Sequence, residues 1–508
     1  MTGLLARMKS SPTALTAVAG YAAMVSAVFV GLFSVPLALK FLSDKEFGLW
    51  NVVGQTLGYL LLLDFGVSRS ASRMLVGPMR EGNQKELNSW WTVILVVLVG
   101  QGLLVAGIGL CACNQIIGSF SDLPPELVPA AKGLWIGMIL VNAIQLPYRA
   151  YTGIIYCQDR WYVMHWVTIL TSWINLVAFA ALLYAGFRTS AYLIATILSV
   201  GFNSLGMQFM ARRGGIRPRM DFRNFDFEKL RVLFKYSSGV FLLAMAGQIA
   251  FTSQAIIISK VVGLGAVAAF VVSYKSFTVI LQIMKCAFDA FSPRWMQLFV
   301  SGERQAVWEE WKKLMAWLLP VGMIGALGIL IFNRAFSTAY GHGPAKHVGL
   351  TFDLFTAAVL VAQIFIYFTE FVFPMSGKVR DRSAVGIADA VVQMGAGILL
   401  TKWYGATGLM LGALIGPVCI SIPYLLSRAP LELGVSRRMM LAAVGRTYGL
   451  TLLALVGAYF ALNTQTTPPD IWQLSGMECL LGAGLASLGI LWFWKFHSIF
   501  MGGKRVEA

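Results

Sequence analysis

Read for hydrophobic and polar positions alone, the chain is a series of long apolar runs separated by short polar breaks. Fourteen runs predict membrane-spanning helices, at roughly 17–39, 47–66, 90–112, 133–157, 163–187, 191–211, 236–259, 266–290, 314–338, 351–373, 383–401, 406–427, 441–462 and 475–494. A helix needs about 20 residues to cross ~30 Å of hydrocarbon. Fourteen of them take a little over half of the 508 residues, so the connecting loops must be short. The expected fold is all-α and polytopic.

Composition agrees: 57% of residues are hydrophobic and 12% charged, more apolar surface than a soluble core hides. The basic residues then orient the chain, because cytoplasmic loops hold most Lys and Arg. Of the 40, 28 lie at the termini and in the even-numbered loops, 8 in the odd-numbered loops and their margins, and 4 (Arg149, Lys275, Lys285 and Arg446) within spans. Both termini are therefore expected in the cytoplasm, with the chain in a bacterial-type inner membrane. The net charge of +17 is spread over membrane-flanking loops, which fits anionic headgroups and excludes a nucleic-acid-binding domain. The first apolar run lacks a small-residue cleavage site and is read as a retained span.

Span ends hint at an internal repeat. Lys40 precedes Trp50 by ten residues as Lys260 precedes Phe270, an offset of 220 that also carries Arg73 to Pro293, beside Arg294. Six spans separate the two copies, so they would run parallel about an axis along the membrane normal. The expected organisation is an N-lobe over 1–211 (spans one to six), a cytoplasmic linker over 212–235, a C-lobe over 236–427 (spans seven to twelve), and accessory spans thirteen and fourteen with a tail over 428–508. Within the linker, residues 225–235 mix apolar and charged positions at helical spacing and predict an interfacial helix. Trp308 and Trp311, among Glu309, Glu310, Lys312 and Lys313, are read as headgroup anchors. Pro147 and Pro320 are among the prolines expected to bend spans. Gly408, Gly412 and Gly416 form a smooth strip for close helix packing.

An ionisable side chain in hydrocarbon costs roughly 2.5–3.5 kcal/mol on insertion scales, so those retained inside spans mark partners or function. Span eight carries Lys275 near its middle and Lys285 and Asp289 four residues apart, which permits a local pair or snorkelling. Arg149 follows Pro147 in span four, where a bend would turn it from lipid, although the inner headgroups are also within reach. Asp64 closes span two beside Arg69 and Arg73, a combination that also reads as a satisfied interfacial cluster. Asp353, Glu370 and Asp389 are carboxylates able to take a proton or sodium ion, or to pair with a base.

Enzyme chemistry finds no support. There is no Walker A loop, no HExxH and no Cys–His metal set. The four histidines, His165, His342, His347 and His497, are scattered and are assigned no role. The six cysteines contain no CxxC pair and read as small core residues. No metal and no cofactor are expected.

The run from Val35 to Trp50, VPLALKFLSDKEFGLW, followed by DFGVSRSASR over 64–73, resembles the opening of polysaccharide flippases in the multidrug/oligosaccharidyl-lipid/polysaccharide exporter superfamily. The run GAVAAFVVSYK over 265–275, leading to Ser292, Pro293 and Arg294, is similar to the start of the second half in that family. The resemblance implies two six-span lobes around a cationic cavity, alternately open to either side. It also implies a cargo of undecaprenyl-diphosphate-linked oligosaccharide, an O-antigen, capsule or exopolysaccharide repeat unit, moved from the inner to the outer leaflet. On that reading Lys275, Arg149, Lys285, Arg69 and Arg73 attract the diphosphate or acidic sugars. Asp64, Asp289, Glu370 and Asp389 are coupling candidates, to a proton or sodium gradient or the membrane potential. Partners would be the lipid-linked substrate, membrane lipids and glycan assembly enzymes. Span one has no cation in its body, unlike some precursor flippases of the superfamily, which disfavours a peptidoglycan precursor. A drug or cation antiporter would normally have twelve spans and an acidic cavity. A glycan polymerase or ligase would carry a large outer loop, whereas the longest odd loop here spans only Asn114 to Lys132.

Overall fold

A computed structural model describes residues 12–463 except 61–66, 121–122, 159, 216, 223–224, 236, 238–240, 242–252, 290, 292–294, 296–297, 300 and 377; beyond 463 it describes 478 and 481–485. Regular structure among the described residues is helical. Ten stretches are long and apolar enough to cross a membrane. One of them, Asp381–Leu433, reverses direction and covers expected spans eleven and twelve; spans two, seven and fourteen run into residues outside the described set. Large apolar side chains point outward along the spans, with Leu103 70% and Ile144 66% exposed, the surface expected when lipid is the solvent.

The chain divides into two compact units, Met1–Val267 and Ala268–Ala508. In the first, α1 (Pro12–Phe41), α2 (Asp44–Leu60), α3 (Val67–Arg80), α4 (Gln84–Gly118), α5 (Val128–Tyr148), α6 (Ala150–Cys157), α7 (Trp161–Tyr184), α8 (Arg188–Arg213) and α9 (Gln254–Val261) follow one another. α4 pairs with α5, α7 with α8, α1 with α7, and α3 with α6. Because α4 runs on to Gly118 and α5 starts at Val128, the longest odd loop is shorter than expected.

The residues that carry the family-like motif build a joint at one end of this unit. Ser43 and Glu46 form a reciprocal capping box at the start of α2: the Ser43 amide donates to Glu46 Oε2 at 2.8 Å, and the Glu46 amide donates to Ser43 Oγ at 3.4 Å. Arg188, held at φ 45° as α8 begins, grips the same carboxylate with Nε at 2.9 Å and Nη2 at 2.6 Å. Gly48 lies so close to the Leu264 carbonyl that a Cβ has no room, and Trp50 packs against Phe179 and Tyr192. At the opposite end, Asn83 caps α4 by accepting from the Glu86 amide at 3.0 Å. The linker docks there. Asn88 Oδ1 accepts from the Arg219 amide and Thr92 Oγ1 from that of Asp221, both at 2.9 Å; Lys229, on the helix at 227–235, reaches Glu86 and Ser89 at 2.8 Å and lies over Trp90.

The second unit contains α10 (Ala266–Ser273, which begins just before it), α11 (Lys275–Asp289), α12 (Arg304–Tyr340), α13 (Leu350–Glu370), α14 (Val379–Gly416), α15 (Ile422–Leu433) and α16 (Arg437–Asn463). α12 packs on α13 and α16, and α13 also on α14. α14 is a hairpin, its reversal made by Gly405 at φ 56°, ψ −140°. After the turn, Gly408, Gly412 and Gly416 lie against Leu400, Gly397 and Asp389 with no space for a Cβ, so the glycine strip packs span twelve onto span eleven. Trp308 and Trp311 depart from expectation. Both are almost wholly buried, stacked at 5.2 Å, with the Trp311 indole donating to the Phe368 carbonyl at 2.8 Å. Three residues apart, they share the face of α12 turned to α13, while Glu309 and Lys312 pair at 2.8 Å. Cys111 and Cys419 are exposed rather than core.

Burial would raise the Glu46 carboxyl; the Arg188 hydrogen bond, the two Ser43 bonds and the Arg188 charge outweigh it and hold the carboxyl below its ordinary 4.5. A carboxyl so depressed contributes stability that is complete above the unfolded value and lost as pH falls through the folded one. Glu46→Gln is therefore expected to destabilise the protein by about 1–2 kcal/mol at neutral pH. The loss, followed by thermal unfolding in detergent, shrinks below about pH 4.5; an equal loss at all pH values contradicts the assignment.

Candidate functional site

Span eight carries a one-residue irregularity at Tyr274, whose amide still donates to the Phe270 carbonyl at 2.9 Å and whose carbonyl accepts from the Thr278 amide at 3.3 Å. α10 stops at Ser273, Tyr274 stacks between Phe270 at 5.3 Å and Phe277 at 4.6 Å, and Lys275 begins α11. The irregularity falls in the middle of the membrane-crossing stretch Ala266–Cys286 and presents a half-buried lysine there. No described acid forms an ion pair with Lys275, so its charge is uncompensated by the surroundings that the structure describes. Such an ammonium is a ready binding point for an anion.

The other expected site residues of this unit are partly accounted for by neighbours. Lys285 lies 4.9 Å over the Tyr367 ring, a cation–π contact that explains its tolerance in the span. The Asp289 side chain lies outside the described set. Glu370 accepts from Arg382 Nε at 3.1 Å and Nη2 at 2.8 Å, the pairing with a base that sequence left open. Asp389 is buried and differs from Glu370 in having neutral partners: Gln393 Nε2 donates at 2.8 Å, and Ser421 Oγ donates from a π-helical turn over Pro417–Ser421. π turns inside helices recur at functional positions.

A polar cluster that sequence reasoning passed over joins α10, α12, α13 and the loop before α13. Asn333 Nδ2 donates to Asp353 Oδ1 at 2.6 Å and to the Ser273 carbonyl at 2.9 Å, while its Oδ1 accepts from Ser276 Oγ at 2.8 Å. His347 Nε2 lies 2.7 Å from Asp353 Oδ2, so this histidine has a structural partner after all. The available signal was spacing: His347 and Asp353 flank Gly349 at the mouth of span ten, where a turn brings them together. A second unforeseen pair is the bidentate contact of Arg334 with Glu478, at 3.0 and 2.8 Å.

In the first unit, Arg149 sits at the break between α5 and α6, two residues after Pro147, as a proline bend predicts. Its carbonyl accepts from Thr152 Oγ1 at 2.7 Å, which stabilises the break. α6 packs on α3, with Cys157 Sγ donating to the Ser72 carbonyl at 3.3 Å. The helix that bears Arg69 and Arg73 is thus brought beside the helix that starts after Arg149. Arg73 is exposed; the Arg69 side chain and all of Asp64 lie outside the described set. Tyr151, Ile154, Ala211, Arg212, Arg217, Pro218 and Arg219 line a cavity of about 380 Å³ at this end.

A polytopic helical fold with intramembrane cations narrows the families, and the sequence comparison decides among them: residues 13–299, more than half of the chain, match the model of a family described as polysaccharide biosynthesis protein. The chain belongs to that family. A comparison with curated proteins finds no match. Solved structures share the fold at low identity. The chain is similar to the lipid II flippase MurJ in an inward closed conformation, with TM-score 0.63, 15% identity, and 96% of this chain and 98% of that one covered. It is similar to an inward-facing multidrug resistance MATE transporter of the MOP superfamily, with TM-score 0.60, 14% identity, and 89% and 100% covered. A MOP superfamily transporter from Pyrococcus furiosus matches with TM-score 0.56, 14% identity, and 90% and 97% covered. These relatives are transporters or flippases, none an enzyme. This polysaccharide biosynthesis family member is a multi-pass membrane protein with the MOP-superfamily fold.

Proposed function

We propose that the protein flips an undecaprenyl-diphosphate-linked oligosaccharide, an O-antigen, capsule or exopolysaccharide repeat unit, from the inner to the outer leaflet by alternating access. The observation that carries this reading is Lys275, a half-buried cation in mid-span without an ion pair among the described residues. A diphosphate and a hydrophilic glycan cannot cross hydrocarbon unaided, and a fixed ammonium replaces part of the hydration they lose. The polyprenyl tail stays in lipid. Arg149, Lys285, Arg69 and Arg73 add positive charge along the route, and both termini lie in the cytoplasm, where glycan assembly enzymes would deliver cargo.

Two observations support this over a drug or cation antiporter. The matched family is one of polysaccharide biosynthesis, and the mid-span charge without an ion pair among the described residues is positive. Among the coupling candidates, Asp389 is favoured over Glu370, because its hydrogen-bond partners Gln393 and Ser421 are neutral whereas Glu370 is gripped by Arg382. Asp64 and Asp289 remain candidates from sequence.

In cells lacking the gene, Lys275→Ala is expected to abolish glycan export at normal protein abundance, with lipid-linked units accumulating on the cytoplasmic leaflet. Lys275→Arg keeps part of the activity. In the same assay Asp389→Asn slows export and leaves abundance unchanged. Wild-type export in Lys275→Ala removes that residue from the mechanism; wild-type export in Asp389→Asn removes the coupling assignment.

A further inference from the structure

The cavity at the arginine-rich end of the first unit is built from three pieces of chain. α6 contributes Tyr151 and Ile154, the last turn of α8 contributes Ala211 and Arg212, and the segment after it contributes Arg217, Pro218 and Arg219. Arg212 has an ordinary structural reason to be there, since a cation in the last turn complements the helix dipole. Arg217 and Arg219 are membrane-flanking cations with no helix terminus to complement. They lie beyond the helix, on a segment that Pro218 stiffens, and the Arg219 and Asp221 amides pin that segment to Asn88 and Thr92 of α4.

Among the described residues no acid forms an ion pair with Arg212, Arg217 or Arg219. The nearby acids of the same end have other engagements. Glu86 holds Lys229 at 2.8 Å, Asp226 accepts from the Glu228 amide at 2.8 Å, and Glu228 pairs with Arg231 at 3.5 Å. Tyr151 adds a neutral donor: its hydroxyl oxygen accepts from Gln208 Nε2 at 3.0 Å, which leaves its proton to donate elsewhere. Three exposed arginines and a tyrosine thus line about 380 Å³, can offer donors to a multiply charged oxyanion, and have no acid among the lining residues beside them. Planar, bidentate donors suit phosphate oxygens best.

We propose that this cavity is a binding site for a phosphate-bearing anion, supplied by a lipid headgroup or by a soluble phosphate or diphosphate. The site is independent of Lys275 and of the flippase reading; its occupancy is a binding property of the first unit whatever the protein transports.

The test uses the full chain purified in neutral detergent, with inorganic pyrophosphate as the probe in calorimetric titrations at fixed ionic strength. Arg217→Ala and Arg219→Ala are each expected to weaken binding about tenfold, the loss of one charge-assisted contact, and Tyr151→Phe about threefold. Arg231→Ala, which removes an exposed arginine of the same end outside the cavity, leaves binding unchanged. Size-exclusion profiles identical to wild type show that the variants are folded, and Arg217→Lys, which keeps the charge, recovers part of the affinity. Absence of pyrophosphate binding overturns the proposal, as does an equal loss in Arg231→Ala, or wild-type affinity in both Arg217→Ala and Arg219→Ala. Repeating the titration in nanodiscs decides the source. Competition by phosphatidylglycerol but not phosphatidylcholine identifies a headgroup site, and equal binding in both discs identifies a site for soluble phosphate.

Discussion

A charge held in hydrocarbon must be compensated, and that constraint organises this molecule more than any single packing contact. The structure meets it repeatedly with pairs between helices. Glu46 and Arg188 join the start of α2 to the start of α8, Glu370 and Arg382 join α13 to α14, and Arg334 on α12 takes up Glu478. Lys285 lies over the Tyr367 ring, and Asp353 uses Asn333 and His347. Breaking such a pair by removing one partner leaves a buried charge exposed to the cost that the pair avoided, so each also fixes the register of the helices that it joins.

Against that background Lys275 stands apart. It sits beside a one-residue irregularity of span eight at Tyr274, which stacks between Phe270 and Phe277. Backbone bonds continue across it and the Ser273 carbonyl accepts from Asn333 Nδ2, so the polar group it presents is the Lys275 side chain. In the first unit the break at Arg149 plays a comparable structural part, stiffened by Thr152 and set beside the helix that carries Arg69 and Arg73. The family and the fold make transport the natural use of these features, and the proposed phosphate-linked glycan carries the charge that would complement them.

The helical, multi-span character of the fold was legible because hydropathy reports lipid directly. The glycine strip of span twelve and the bend after Pro147 were legible for local reasons, one a four-residue repeat and the other a missing donor. Partners were not. Glu370 pairs with Arg382 twelve residues on, Glu46 with Arg188 142 residues on, and Asp353 with both Asn333 and His347, distances along the chain that only the tertiary fold closes. Trp308 and Trp311 misled because charged neighbours suggested an interface, while their spacing placed them on the buried face. The motif from Val35 to Trp50 pointed to the right family through residues that cap, pair and pack at a joint: Ser43, Glu46, Gly48 and Trp50.

The central claim is that the protein moves a diphosphate-linked glycan rather than a drug or a free ion. The most direct measurement is purified protein in proteoliposomes carrying a fluorescent undecaprenyl-diphosphate-linked oligosaccharide on one leaflet, with its appearance on the other followed by an impermeant quencher. Movement that depends on the protein and fails for the same lipid without its diphosphate and sugar is the expected result. No protein-dependent movement of the glycolipid, together with ion-coupled uptake of cationic drugs in the same vesicles, would contradict it.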